Sequence, residues 1–215
     1  VMIALVAFDL LSFAATFNPT TNPAALTGEP PSVAFLKRDP ALYRTAAFIF
    51  NDRLWPEVAQ SQLALSWGMA YGIEEINGFN SLQPRRYTGV LFGPEVEDVS
   101  YGYLRDGNLL NANNNLLSML NVKYALIQAG APLTVPVPAD PSRPIADQEQ
   151  QQPAPWIKVF QDATVTIYRN TNVFDRAFFV DRVAALPEPR TILELIRQPG
   201  FDPRRQSFVE SGLTQ

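Results

Sequence analysis

Two adjacent arginines, Arg85 and Arg86, are the residues of this chain best suited to bind a ligand. A guanidinium group presents a planar fork of donors that matches a phosphate or a sugar acid, and a neighbouring aromatic ring can stack on a sugar. Both lie in the segment 72–87, which is too irregular for a helix or strand pattern and also carries amide side chains. The candidate ligand loop therefore contains Asn77, Asn80, Arg85, Arg86 and Tyr87.

The acidic pair Glu74 and Glu75 offers other chemistry in the same segment. Two carboxylates can bind a cation or act as general acid and base. Adjacent residues of an extended segment point to opposite faces, however, so a solvated pair is the alternative. The same carboxylates can also pair with Arg85 and Arg86, in which case the arginines brace the loop. The amides of residues 113–115 can contact carbohydrate, or only mark the exposed side of a leucine-rich helix.

Composition removes most catalytic schemes. The chain has no Cys and no His, which excludes thiolate nucleophiles, disulfides, the Ser-His-Asp triad and the usual zinc sites. The schemes left depend on carboxylates, a lysine, or oxygen-ligated Mg²⁺ or Ca²⁺, and the sequence has neither an EF-hand spacing nor a phosphate-binding glycine loop. The net charge of −4 provides no positive field for nucleic acid. We assign no catalytic residue, metal ligand or cofactor, and expect no nucleic-acid partner.

An apolar run opens the chain and predicts a helix over residues 1–17. Such a helix would be about 25 Å long, slightly short of the ~30 Å hydrocarbon core of a bilayer. A carboxylate at mid-bilayer costs roughly 2.5–3.5 kcal/mol, so Asp9 argues against a single span surrounded by lipid but suits a helix bundle. The alternatives are the end of a membrane helix and a buried helix or strand of a soluble protein. Residues 18–31, rich in Asn and Pro, then predict a linker.

The remaining residues, 32–215, predict one domain of the α/β (α+β) class, with a mixed sheet of about five strands and helices packed against it. Strand patterns occur at residues 43–50, 122–128, 156–160, 164–170 and 176–183, with a further one near 207–210. Helical patterns occur at residues 33–38, 54–67, 109–120 and 191–198. Residues 68–94, rich in Gly, Asn and Pro, predict a loop that packs against the domain.

Local signals refine this domain. Ser32 is expected to cap the first of its helices, and Thr191 and Glu194 have the spacing of a capping box at the last. Residues 131–155 hold seven prolines and a polar run, a composition that cannot bury enough apolar area to offset the entropy lost on ordering. They predict a mobile insertion. No natural stop follows the last strand pattern, so we expect the domain to continue past residue 215.

Three stretches, taken in order, resemble the region that follows the transmembrane bundle in YfhO-like bacterial multi-pass membrane proteins. The apolar run with its internal Asp9 resembles the end of their last membrane helix. Residues 115–127 resemble their helix-to-strand unit, with its leucine, small residue, valine, lysine and tyrosine. Between these, a Gly-rich segment has an aromatic after Gly and an arginine-aromatic pair after Pro, here Gly78, Phe79, Pro84, Arg86 and Tyr87.

The resemblance implies a relative of the GT-C glycosyltransferases, which use polyprenyl-phosphate sugars outside the bacterial cytoplasmic membrane. Residues 1–17 would be the stub of a transmembrane helix, cut at Val1, and residues 32–215 an extracytoplasmic domain beside the parent transmembrane bundle. The catalytic carboxylate of GT-C enzymes is expected on an early loop of that bundle, so no catalytic residue carries over.

The function implied is therefore noncatalytic. The domain would help to position a glycan acceptor or a polyprenyl-phosphate sugar donor. Two alternatives remain open from the sequence. One is a cell-envelope binding or interaction module with no enzymatic role, and the other is an ordinary soluble protein whose first helix belongs to its core.

Overall fold

The computed structural model describes residues 2–17, 28–49, 56–78, 84–92, 104, 107–110, 115–131, 155–198 and 200–210. Within them the chain forms an α+β fold with a four-stranded mixed sheet and a separate two-stranded sheet. The predicted fold class is confirmed. The predicted linker and the Pro-rich insertion fall outside the described residues except at their ends.

The helices and strands follow one another from a long apolar helix to a short C-terminal strand. The helices are α1 (Met2–Phe17), α2 (Pro31–Leu36), α3 (Pro56–Ser61), α4 (Gly68–Tyr71), α5 (Arg85–Phe92), α6 (Leu116–Met119) and α7 (Pro189–Ile196). Short 3₁₀ turns lie at Ala64–Ser66 and Gly107–Leu110. The strands are β1 (Arg44–Phe48), β2 (Val122–Gln128), β3 (Trp156–Gln161), β4 (Val165–Asn170), β5 (Arg182–Ala185) and β6 (Gln206–Val209).

The main sheet has the order β1-β2-β4-β3, with β1 parallel to β2 and the other pairs antiparallel. The predicted β3–β4 hairpin is confirmed. Asp162 closes its turn, because one carboxylate oxygen accepts from the Thr164 amide at 2.7 Å and from the Val165 amide at 2.9 Å. Asp side chains stabilise turns in this way by bonding the backbone two or three residues on.

Strand β2 shows how the sheet separates two core layers. Ala125 and Ile127 lie in one buried cluster with Phe48 of β1, whereas Tyr124 and Leu126 lie in the other. Successive side chains of a strand alternate between faces, so a wholly apolar strand is expected where helices cover both sides. Helix α2 covers the second face, and α5 with α6 covers the first.

The C-terminal region departs from the predicted sheet. The strand predicted over residues 176–183 begins only at Arg182, and β5 pairs in parallel with β6 to form the separate sheet.

The predicted capping box at α7 is wrong. The fixed φ of Pro189 suits the first position of a helix, so α7 begins at Pro189 and not at Thr191. Glu188 is the N-cap and accepts from the Arg190 amide at 3.2 Å, while Glu194 pairs with the Arg190 side chain.

Two further local predictions are corrected. Ser32 does not cap α2. Its hydroxyl donates to the Ser61 carbonyl at 2.8 Å and so joins α2 to α3. The helix predicted over residues 54–67 ends at Ser61, and Leu63 and Ser66 then adopt left-handed φ angles of 56° and 69°. Such angles are strained for residues with side chains and break the helical path.

One more helix prediction and one loop prediction need revision. The predicted helix 109–120 is divided into a 3₁₀ turn and the short α6, and residues 111–114 between them lie outside the described residues. The segment 68–94, predicted as a loop, contains two helices, α4 and α5. A high content of Gly and Asn therefore did not prevent helix formation here, because tertiary packing overrides weak propensity.

Helix α1 is apolar over most of its surface, with Asp9 and Ser12 together on one side, and residues 2–14 are all exposed. Its large apolar residues, from Met2 to Phe13, are each at least 58% exposed. The predicted N-terminal apolar helix is thus confirmed as an element. No helix among the described residues has both the length and the apolar character needed to cross a membrane.

Candidate functional site

The arginine pair of the candidate ligand loop lies in a helix rather than a loop. Arg85 and Arg86 form the first turn of α5. The Pro84 carbonyl accepts from the Thr88 amide at 3.1 Å, and the Thr88 hydroxyl donates to the Arg85 carbonyl at 2.9 Å. These bonds fix the backbone of the turn and point both arginines outward, where they are exposed.

Arg86 is held by a carboxylate from the far end of the chain. Its two terminal nitrogens lie 2.8 Å from the two carboxylate oxygens of Glu210, which follows β6. Such a two-point pair fixes the plane of the guanidinium as well as its position. The Arg86 side chain is still 71% exposed and the Glu210 side chain 35% exposed. The pair therefore joins α5 to β6 and presents polar groups to solvent.

The other candidate residues are structural or lie elsewhere. The Tyr87 hydroxyl donates to the Ile76 carbonyl at 2.6 Å, and burial raises the pKa of Tyr87, with Arg44 acting against this rise. Asn77 is buried. Its side-chain oxygen accepts from the backbone N–H of Ala47 at 2.7 Å, and its side-chain nitrogen donates to the Ala47 carbonyl at 2.8 Å. Asn77 thus extends the pairing of β1. Asn80 lies outside the described residues.

A groove lies beside the Arg86–Glu210 pair, where α5, α7 and β6 meet. It has a volume of about 390 Å³. Its walls are apolar and consist of Pro189, Ile192, Leu193, Phe208 and Val209, with the Arg86–Glu210 pair as the polar part of the lining. Phe208 stacks on Phe201 with ring centroids 5.8 Å apart and an interplanar angle of 23°. Of the proposed ligand-loop residues that the structure describes, only Arg86 lines this groove.

Close contact between α5 and α7 shapes the groove. A Cβ atom at Gly89 would lie 2.8 Å from a terminal carbon of Leu193, so the absence of a side chain at Gly89 lets α7 approach. Arg197 donates to the Val90 carbonyl and ties the end of α7 to α5. The walls of the groove therefore belong to elements whose separation is fixed by packing.

The two adjacent glutamates have different environments. Glu74 is exposed and pairs with Arg176 at 2.8 Å and with Arg44 at 3.7 Å, so it does not pair with Arg85 or Arg86. Both carboxyl oxygens of Glu75 are buried, and neither makes a hydrogen bond among the described residues. Burial raises the pKa of Glu75 to about 8, although the nearby Gly68 amide acts in the opposite direction. A carboxyl group in such a place is protonated at neutral pH.

Sequence reasoning missed a polar cluster between α2 and β2. Lys123 forms an ion pair with Asp39, which also accepts from the Tyr124 hydroxyl at 2.7 Å. The Lys123 ammonium lies 5.7 Å and 5.8 Å from the ring centroids of Tyr43 and Tyr124. Burial acts to raise the pKa of Asp39, but hydrogen bonds from Lys123 and Tyr124 lower it overall. The only sequence signal is the Lys-Tyr pair in a strand pattern.

This cluster braces the fold rather than offering a reactive lysine. Lys123 is ion-paired with Asp39 and its ammonium group lies over two aromatic faces. These contacts engage the side chain within the fold. Among the described residues, no group of three or more acidic side chains converges to hold a metal ion.

No protein-family model matches this chain, and neither a curated protein nor a solved structure matches it. Its function is therefore inferred from its own residues.

Proposed function

We propose that this chain is the noncatalytic extracytoplasmic domain of a bacterial membrane protein related to glycosyltransferases, of the YfhO-like kind. It sits beside the parent transmembrane bundle and positions a glycan acceptor or a polyprenyl-phosphate sugar donor. The observation that carries this proposal is α1, which is apolar except on the side of Asp9 and Ser12 and is exposed over residues 2–14. A helix with this pattern belongs in a protein core or in a membrane.

The exposed area of α1 is large enough to drive membrane attachment. Burying one Leu, Ile or Phe side chain is worth roughly 1.5–3 kcal/mol. Eight large apolar side chains of α1 are exposed, namely Met2, Ile3, Leu5, Val6, Phe8, Leu10, Leu11 and Phe13. Together they favour transfer to hydrocarbon by on the order of 10 kcal/mol or more. Insertion of α1 is therefore the proposed way in which the domain is held at a membrane.

Asp9 fits this proposal if it faces other helices. Its insertion at mid-bilayer costs roughly 2.5–3.5 kcal/mol, which the apolar side chains of α1 exceed. Intramembrane carboxylates usually face the interior of a bundle, where they find polar partners. The proposal accordingly places the Asp9 side of α1 against the parent bundle and the remaining sides against lipid.

The noncatalytic role in this proposal is supported by how several charged groups of the described residues are used. Glu74 and Asp39 are engaged by cations, and Lys123 is engaged by Asp39. The groove beside Arg86 is suited to binding rather than to reaction, because Glu210, the carboxylate that lines it among the described residues, is paired with that arginine. This observation also favours a second candidate function, a cell-envelope binding module with no enzymatic role.

The membrane role is tested by flotation of the chain with phosphatidylcholine vesicles in a density gradient. We expect the full chain to float and a chain lacking residues 1–19 to stay at the bottom, because the deletion removes the apolar helix. The double variant Phe8→Glu and Leu11→Glu keeps the chain length and should also stay at the bottom. The deletion should leave cooperative unfolding intact and improve solubility. Loss of cooperative unfolding in the deleted chain would show that α1 is a core helix.

A further inference from the structure

We propose that the groove between α5, α7 and β6 binds a neutral sugar ring. The Arg86–Glu210 pair would bond its hydroxyl groups, and Phe208 would pack against its C–H face. This inference deepens the glycan-positioning role proposed above and rests on it. It also revises the expectation that the arginines bind a phosphate or a sugar acid.

The polar rim has no net charge. Glu210 meets Arg86 at two points, both at 2.8 Å, so the guanidinium charge is compensated within the protein. A phosphate would have to displace Glu210 or lie beside its negative charge, and like charges repel. A hydroxyl group meets no such obstacle, because it can donate to the carboxylate and accept from the guanidinium.

Both members of the pair keep bonding capacity for such hydroxyl groups. A guanidinium has five N–H donors, and the Glu210 contacts use two of the terminal ones. The Arg86 side chain is 71% exposed, so its remaining donors can reach a ligand in the groove. A carboxylate has about four acceptor sites, which leaves Glu210 free to accept from a hydroxyl group.

The apolar walls supply the other half of the match. A pyranose ring has polar edges and an apolar C–H face, and aromatic rings bind such faces by stacking. Phe208 is half-buried, and its stacking on Phe201 fixes its orientation. Ile192 and Leu193 of α7 add aliphatic surface to the lining. The volume of about 390 Å³ lies in the usual range of roughly 300–1,000 Å³ for small-ligand sites.

The test is to titrate small ligands into the full chain and to monitor its methyl signals by NMR. The methyl groups of Ile192, Leu193 and Val209 report on the groove, and those of Val33 and Ile167 report on the buried core. The probes are the methyl glycosides of glucose, galactose and mannose, together with N-acetylglucosamine and inorganic phosphate. We expect at least one neutral sugar to shift the groove methyl signals saturably, while phosphate does not. Core signals should stay in place.

The variant Glu210→Gln separates the two ligand classes. It leaves Arg86 uncompensated, so affinity for the neutral sugar should fall about tenfold or more while phosphate begins to bind. The matched control is Glu194→Gln, which changes an exposed carboxylate of α7 outside the groove and should alter neither affinity. Unchanged core methyl signals would show that each variant is folded.

Two results would overturn the inference. One is saturable binding of phosphate to the groove of the unmodified chain without a response to any neutral sugar. The other is the lack of a saturable groove shift with all four sugars. Membrane attachment is measured separately by flotation. A chain that floats but binds no sugar would therefore overturn the groove assignment and leave the proposed membrane role standing.

Discussion

Glu75 places a carboxyl group inside the fold without a hydrogen-bond partner among the described residues. The alternation of an extended segment predicts that Glu74 and Glu75 point to opposite faces, and this is where they lie. Alternation does not reveal whether a face is covered. Here the covering residue is Gly68, since a Cβ atom at that position would lie 3.0 Å from a Glu75 carboxyl oxygen. A contact of this kind has no sequence signal.

Burial of Glu75 makes the free energy of unfolding depend on pH. The pKa of Glu75 rises from 4.5 to about 8, so the folded state binds this proton more tightly than the unfolded state. Stability from this group is complete below about pH 4.5 and is lost as the pH rises toward about 8. We expect Glu75→Gln to remove this loss and to stabilise the fold by about 1–3 kcal/mol in mildly alkaline solution. Urea unfolding at several pH values measures it.

The matched control is Glu74→Gln, because Glu74 is exposed and ion-paired. The free energy of unfolding of the Glu74→Gln variant should still fall as the pH rises. If Glu75→Gln lost stability with rising pH as steeply as the unmodified chain, then Glu75 would not be the buried acid described here.

At the scale of elements, the contact between α5 and α7 determines whether the groove exists. The sequence predicted a helix near α7 and the neighbouring strands, but it gave no sign that α7 would pack on Gly89. That contact joins residues about a hundred positions apart, and periodicity describes only one element at a time. The Arg86–Glu210 pair, whose members are 124 positions apart, was unpredictable for the same reason.

Substitutions at Gly89 test this contact. A Cβ atom there would meet a flexible end of Leu193 at 2.8 Å, which can move aside. We therefore expect Gly89→Ala to change the free energy of unfolding by no more than about 1 kcal/mol, since improved helix propensity offsets the contact. Gly89→Leu adds three further carbons to a closed interface and should destabilise the fold by about 1–3 kcal/mol. Thermal unfolding measures both.

The two variants form a matched pair because Ala and Leu are both strong helix formers. The Leu variant should also displace the Leu193 methyl signal and lower affinity for any ligand of the groove. Equal stability of the two variants would show that α7 does not rest on α5 at this point.

At the scale of the whole molecule, α1 and the α+β domain have opposite surface character. The domain buries its apolar residues on both faces of one sheet, whereas α1 exposes its apolar residues to the surroundings. The sequence predicted an apolar helix over residues 1–17, because a largely apolar run is visible in a sequence. It could not show whether α1 would pack into the core, since that depends on which surfaces the folded domain leaves open.

Depth of α1 in a bilayer is the measurement that tests the central claim most directly. The chain has no Cys, so Phe8→Cys provides a unique position for a spin label, and Ala163→Cys provides an exposed control in the β3–β4 turn. Electron paramagnetic resonance in phosphatidylcholine vesicles reports access of each label to oxygen and to a water-soluble nickel complex. We expect the label at position 8 to be open to oxygen and shielded from nickel, while the label at position 163 stays in water. Equal access of nickel to both labels would contradict it.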